Sequence, residues 1–203
     1  ISDLQGGRSD VLSHLANLYS KADRLEEAIQ TYDRLELLEG KLAQLSMQKF
    51  SLYMQLGDSV RAFAELQSLC DEYPAEMSYR VEMGYCYQQI GDYDTAMEIY
   101  NQVKSIEPTN VDLQMAMLDL YIMQGMDSLY EATRDSILYS PDTDTGKRIV
   151  LIQQMIQRMS PDSVDTERII ERFEKVVALD SADVEMLTMY ASFLNYRERP
   201  ETE

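Results

Sequence analysis

Tyrosine recurs at Tyr19, Tyr53, Tyr87 and Tyr121, each 34 residues after the last. Four residues beyond each stands a loop-forming residue: Asp23, Gly57, Gly91 and Gly125. Five further on come Ala28, Ala62 and Ala96, with Tyr130 in the fourth place. Gly40, Pro74, Pro108 and Pro141 fall near the ends of the same periods. A fixed spacing of this length marks a stack of similar units rather than one irregular core.

Residue type gives each rung a physical role. Leu12, Leu15, Ala16 and Tyr19, then Leu25, Ala28, Ile29 and Tyr32, fall at helical spacing, so each unit is predicted to hold two amphipathic helices. Glycine after the first helix tolerates the left-handed backbone that ends it, and the trailing proline cannot continue the second. Alanine at 28, 62 and 96 lets the two helices approach closely, and the tyrosines are expected to pack across that contact. A coiled coil would need an unbroken seven-residue seam, which glycine or proline in every period would interrupt.

Composition narrows the chemistry. The chain carries 36 acidic and 18 basic residues, a formal charge of -18, and no basic cluster to neutralise a phosphate backbone. Nucleic acid and anionic membrane surfaces are therefore not expected as partners. One histidine, His14, and two cysteines, Cys70 and Cys86, cannot supply the ligands of a zinc site, so no metal and no cofactor are expected. The cysteines make no disulfide framework, and two buried thiols or a single bridge both fit. No apolar run approaches the roughly 20 residues that span a bilayer, so no membrane insertion is expected of this chain. The stretch from Asp142 to Gly146 has some look of a calcium loop, but Gln153 stands where its closing glutamate belongs. His14 lies far in sequence from either thiol, which leaves no nucleophile relay, and the reading is of a protein that is not an enzyme.

The pattern resembles the tetratricopeptide repeat. Residues 77–110 carry it most fully, through Gly84, Tyr87, Gly91, Tyr93, Ala96, Tyr100 and Pro108. Residues 9–42 and 43–76 follow, residues 111–143 carry Tyr130 in place of the small alanine and should pack less regularly, and residues 144–183 form a degraded fifth unit with a polar insertion at 159–167. A partial sixth unit would occupy 184–203. The resemblance implies an all-α fold, a right-handed α–α superhelix of tandem hairpins forming one array.

It also implies that the first helices line a concave groove. The residues so placed are Asp10, Ser13, Asn17, Gln44, Met47, Ser51, Met54 and Gln55, then Val81, Tyr85, Gln88 and Gln89. Met115, Asp119, Ile122 and Met123, and then Ile149, Gln153 and Ile156, continue the strip. It holds fewer charges than the chain as a whole, and its amides, hydroxyls and adaptable apolar groups suit a peptide or protein segment. Where some members of the family grip an acidic tail, this chain has Ser13, Asn17, Gln48, Ser78 and Glu82, of which only Asn17 fits, so that mode is not expected.

The expected function is a non-catalytic interaction scaffold. The alternative is a sensor or assembly segment of a larger protein, self-associating as a homo-oligomer through residues 184–197, where Met186, Met189, Phe193 and Tyr196 lie opposite Leu187, Tyr190, Ala191 and Leu194. The polar start at Ile1 reads as that of a fragment or processed chain, and the tyrosine- and methionine-rich style resembles bacterial arrays of the cell envelope.

Overall fold

The computed structural model describes residues 2–159 and 163–197. The described residues form eleven helices and no strand. The architecture is all-α, a succession of helical hairpins of the right-handed α–α solenoid class. The chain divides into two compact units, Ile1–Pro108 and Thr109–Glu203.

The first unit holds α1 (Ser2–Lys21), α2 (Leu25–Glu39), α3 (Ala43–Gln55), α4 (Ser59–Glu72), α5 (Met77–Gln89) and α6 (Tyr93–Ile106), each packed on the next. The period becomes visible in the turns. At the end of α5 the Gly91 amide donates to the Gln88 carbonyl (3.0 Å) and the Asp92 amide to the Tyr87 carbonyl (3.0 Å). The end of α3 repeats this through Gly57 to Met54 and Asp58 to Tyr53, and the end of α1 through Asp23 to Ser20 and Arg24 to Tyr19. These paired bonds close a helix only if the penultimate residue is left-handed. Gly57 and Gly91 adopt φ of 75° and 84°, and Asp23 adopts 58°. Asp58 and Asp92 then cap the following helices, accepting from the Arg61 amide (2.9 Å) and the Thr95 amide (3.1 Å). Gly91→Ala finds open space for its Cβ, so its cost is conformational alone. It is expected to lower stability by about 1–2 kcal/mol in urea unfolding.

Ala16, Ala28, Ala62 and Ala96 are fully buried where paired helices meet. Gly84 on α5 shows how close the approach is: a Cβ there would lie 2.5 Å from Cε1 of Tyr100 on α6. Tyr87 departs from expectation. Its ring stacks on Phe63 of the preceding hairpin, with centroids 3.8 Å apart, and Phe50 meets Phe63 edge-on at 5.3 Å. Tyr53 likewise packs against the cluster that holds Leu12, Ala28 and Leu35. Tyr87 therefore ties its hairpin to the one before it. Cys70 and Cys86 are free thiols buried in one cluster, and burial raises both, Cys86 to about 11.

The second unit holds α7 (Val111–Met123), α8 (Asp127–Tyr139), α9 (Thr145–Arg158), α10 (Ser163–Leu179) and α11 (Val184–Arg197). The turn after α7 repeats the pattern at Gly125, φ 66°, but Met126 replaces the capping aspartate and offers α8 no side-chain cap. At the other end of α8, the buried Arg148 of α9 donates to the Leu138 and Ser140 carbonyls (3.2 and 2.7 Å), so a later side chain satisfies that helix end. Within the predicted insertion, α10 begins at Ser163, and residues 160–162 lie outside the described residues.

On α11 the packed face is not the one the sequence suggested. Met186 and Phe193 are buried, with Phe193 and Tyr190 both against Phe173 (5.6 and 4.9 Å), while Leu187 and Ala191 face outward. Phe193 is thus a core residue of this unit, in place of the exposed contact expected for self-association.

Candidate binding surfaces

In the first unit an open cleft of about 440 Å³ lies where α1, α2 and α3 meet. Its floor is Tyr32, Leu35 and Leu45, all buried. Its walls are polar: Asp10, Ser13 and Asn17 on α1, and Gln44 and Gln48 on α3. The Asn17 side chain accepts from the Tyr32 hydroxyl (3.1 Å), which fixes that amide within the cleft. Hydroxyls and amides above an apolar floor can bond a backbone and seat an apolar side chain at once.

Farther along the first helices the predicted residues diverge. Ser51 and Gln55 are exposed and bonded to each other (3.3 Å), and Gln89 is exposed. Tyr85 is 40% exposed, the largest accessible aromatic on α5. Met47 and Met54 are half-buried against the cluster around Phe63. Val81 and Gln88 are buried and line no open surface. Gln88 is turned inward, where its carbonyl oxygen accepts from the buried Tyr100 hydroxyl (3.2 Å). In the second unit Met115, Ile122, Ile149 and Ile156 are half-buried, while Asp119, Met123 and Gln153 are exposed. Burial raises the Asp119 carboxyl, and the charge of Arg158 works in the opposite sense.

The first unit also contains an ionic cluster that the sequence reading did not find. Lys49 on α3 is 3% exposed, and its Nζ reaches Asp33 (3.1 Å), Glu36 (2.5 Å) and Glu65 (2.9 Å). Lys41 joins Glu36 (3.0 Å) and Glu65 (2.6 Å). Burial pushes the Lys49 ammonium down, but its hydrogen bonds to Glu36, Glu65 and Asp33 more than reverse this and hold its pKa above the usual lysine value. Burial likewise opposes the charge on Glu65, yet Lys41 and Lys49 hold its pKa below the usual glutamate value. One signal was present: Lys49 stands in register with Leu15, Met83 and Met117, a place the other units fill with apolar side chains.

Among the described residues no group of three His, Cys, Asp or Glu could hold a metal ion, and no helix is long and apolar enough to cross a membrane. Asp144, in the stretch that looked like a calcium loop, instead caps α9 by accepting from the Lys147 amide (2.9 Å).

Paired helices joined by a left-handed turn and repeating at 34 residues define a helical-repeat protein. Tetratricopeptide-repeat family models match residues 11–44 and 78–110. Among solved structures, a thermophilic TPR protein from Thermus thermophilus aligns with a TM-score of 0.51 at 16% identity, covering 92% of this chain and 99% of that one. MamA from Desulfovibrio magneticus RS-1 aligns at 0.50 with 14% identity, covering 87% and 97%. At such identities the likeness concerns the fold alone. The chain carries tetratricopeptide repeats, and such repeats indicate a protein–protein interaction scaffold. Curated relatives are longer. The chain is 30% identical over 159 residues to human aspartyl/asparaginyl beta-hydroxylase, covering 70% of this chain and 21% of that protein. It is 29% identical over 103 residues to cellulose synthase operon protein C of Xanthomonas axonopodis pv. citri (strain 306), covering 47% and 7%.

Proposed function

We propose that the first unit holds an extended or helical segment of a partner protein along the inner side of α1, α3 and α5, and that the chain does no chemistry of its own. The observation that carries this reading is the cleft between α1 and α3, where Ser13, Asn17, Gln44 and Gln48 stand over the apolar floor of Tyr32 and Leu45. Tyr85, exposed on α5, supplies a rigid aromatic surface of the kind that dominates binding energy at interfaces. The acidic balance of the chain serves solubility more than recognition.

The test is quantitative recovery of a partner protein from extracts of the source organism by immobilised chain. Gln44 and Gln48 are both exposed, so Gln44→Glu with Gln48→Glu places two charges in the cleft without disturbing the core. Recovery of the partner is expected to fall about tenfold or more, the scale of one or two lost interface contacts. The matching change Gln67→Glu on α4 should leave it unaltered. Equal recovery by all three chains contradicts the reading.

A further inference from the structure

In the second unit α8 reverses the pattern of the regular hairpins. Where α6 has the small Ala96 and the large Tyr100, α8 has the large Tyr130 and the charged Arg134. A guanidinium cannot fill an apolar contact as a phenol ring does, and a ring in place of a methyl keeps neighbouring helices apart. A pocket of about 180 Å³ opens beside these two residues, closed by the end of α9 and the first turns of α10. Arg134, Arg158, Arg168 and Arg172 all line it, in a chain with twice as many acids as bases.

The four guanidiniums are not equally engaged. Arg134, its side chain 6% exposed, forks onto Asp135 (2.9 and 2.7 Å), and Arg172 reaches the same carboxylate at 3.5 Å. Arg168 pairs with Asp165 at 3.6 Å. Arg158 forms no ion pair within 4 Å among the described residues; it lies over the Tyr130 ring at 5.4 Å, as Arg134 does at 5.5 Å. Asp119 feels the Arg158 charge without pairing to it, and Glu131 stands at the rim with no salt bridge among the described residues. Met155, Met159 and Ile169 add an apolar wall.

We infer that this pocket binds a single oxyanion, a carboxylate or phosphoryl group carried on a side chain of a partner peptide. Guanidinium forks match the planar or tetrahedral faces of these groups and bond them two-pronged. The volume is below that of sites for whole small molecules, so it suits one anionic head with its aliphatic stem against Met155 and Ile169. The carboxylates already in the pocket offset most of the positive charge, which leaves Arg158 as the group with donors to offer. None of its lining residues belongs to the groove strip, although Arg158 stands near enough to Asp119 of that strip to act on its carboxyl, so the pocket forms an anchor of its own within the second unit.

Isothermal titration of the intact chain at fixed ionic strength tests this, with inorganic phosphate, O-phosphoserine and N-acetylglutamate as probes. Saturable binding of at least one probe is expected, about tenfold weaker in Arg158→Gln and unchanged in Arg24→Gln, whose guanidinium lies in the first unit. Arg158→Lys keeps the charge without the fork; if the glutamine variant fails to fold, a loss of threefold or more in the lysine variant, on the scale of one charge-assisted bond, carries the same comparison. Tighter binding of phosphoserine assigns a phosphorylated partner, and tighter binding of acetylglutamate an acidic one. No saturable binding of any probe, or equal binding by wild type and both Arg158 variants, overturns the inference.

Discussion

Lys49→Met is expected to lower the stability of the first unit by about 3–5 kcal/mol in urea unfolding, the scale for removing one partner of a buried ion pair. Methionine matches the volume and restores the apolar type found at Met83 and Met117, so lost packing does not explain the effect. The cost comes from Glu65, whose carboxylate is 10% exposed and would keep only Lys41, and from Glu36. Lys49→Met with Glu65→Leu should recover much of the loss, because the two most buried charges of the cluster are then replaced together by apolar groups. The cluster also sets a pH window. Glu65 has a depressed folded pKa, so its contribution is present above about 4.3 and is lost as pH falls through the folded value. Lys49 has a raised folded pKa, so its contribution is full below about 10.4 and is lost as pH rises through the folded value. The cluster's own contribution should therefore be level between those limits and fall on either side, while above about pH 8.5 the buried Cys70 and Cys86 thiols, raised by burial, begin to lower the melting temperature.

Tyr100→Ala should cost a similar amount, about 3–5 kcal/mol. The ring is wholly buried against Gly84, and its hydroxyl bonds Gln88, so truncation leaves both a void and an unpaired amide. The informative comparison adds a methyl at position 84. In the wild type, Gly84→Ala drives its Cβ into the Tyr100 ring and should cost about 1–3 kcal/mol, more than helix propensity returns. In the Tyr100→Ala chain the obstacle is gone, and the same change should stabilise by up to about 1 kcal/mol. A change of sign between backgrounds, measured by urea unfolding of the four chains, identifies the contact as direct. Equal effects in both would show that Gly84 is needed for another reason.

The hairpins were legible because their signals are local. Tyr87, Gly91 and Ala96 lie within one turn and its flanks; Gly91 and Ala96 act through backbone and size, while Tyr87 marks the period but finds its partner, Phe63, on the hairpin before. What stayed hidden depends on residues far apart in sequence. Lys49 meets Glu36 and Glu65 from three helices, and no spacing rule joins them. Gln88 reads as a groove residue by position, and only the Tyr100 hydroxyl beneath it explains its burial. On α11, apolar residues lie on nearly every side, so the repeat phase points to Leu187 and Ala191 while packing against Phe173 on α10 buries Phe193 instead. The resemblance puts Asp10, Ser13, Asn17 and Gln44 on the inner strip of the first helices, and all four line the cleft of the first unit, whereas its floor comes largely from the partner helix, through Tyr32 and Leu35.

Site-specific photo-crosslinking tests the scaffold reading most directly. A benzophenone amino acid at Ser13 or Tyr85, both on first helices, should capture the partner protein at high yield. The same group at Gln67 or Glu98, both exposed on second helices, should capture little. Capture from Gln67 or Glu98 alone, with none from Ser13 and Tyr85, would contradict the account.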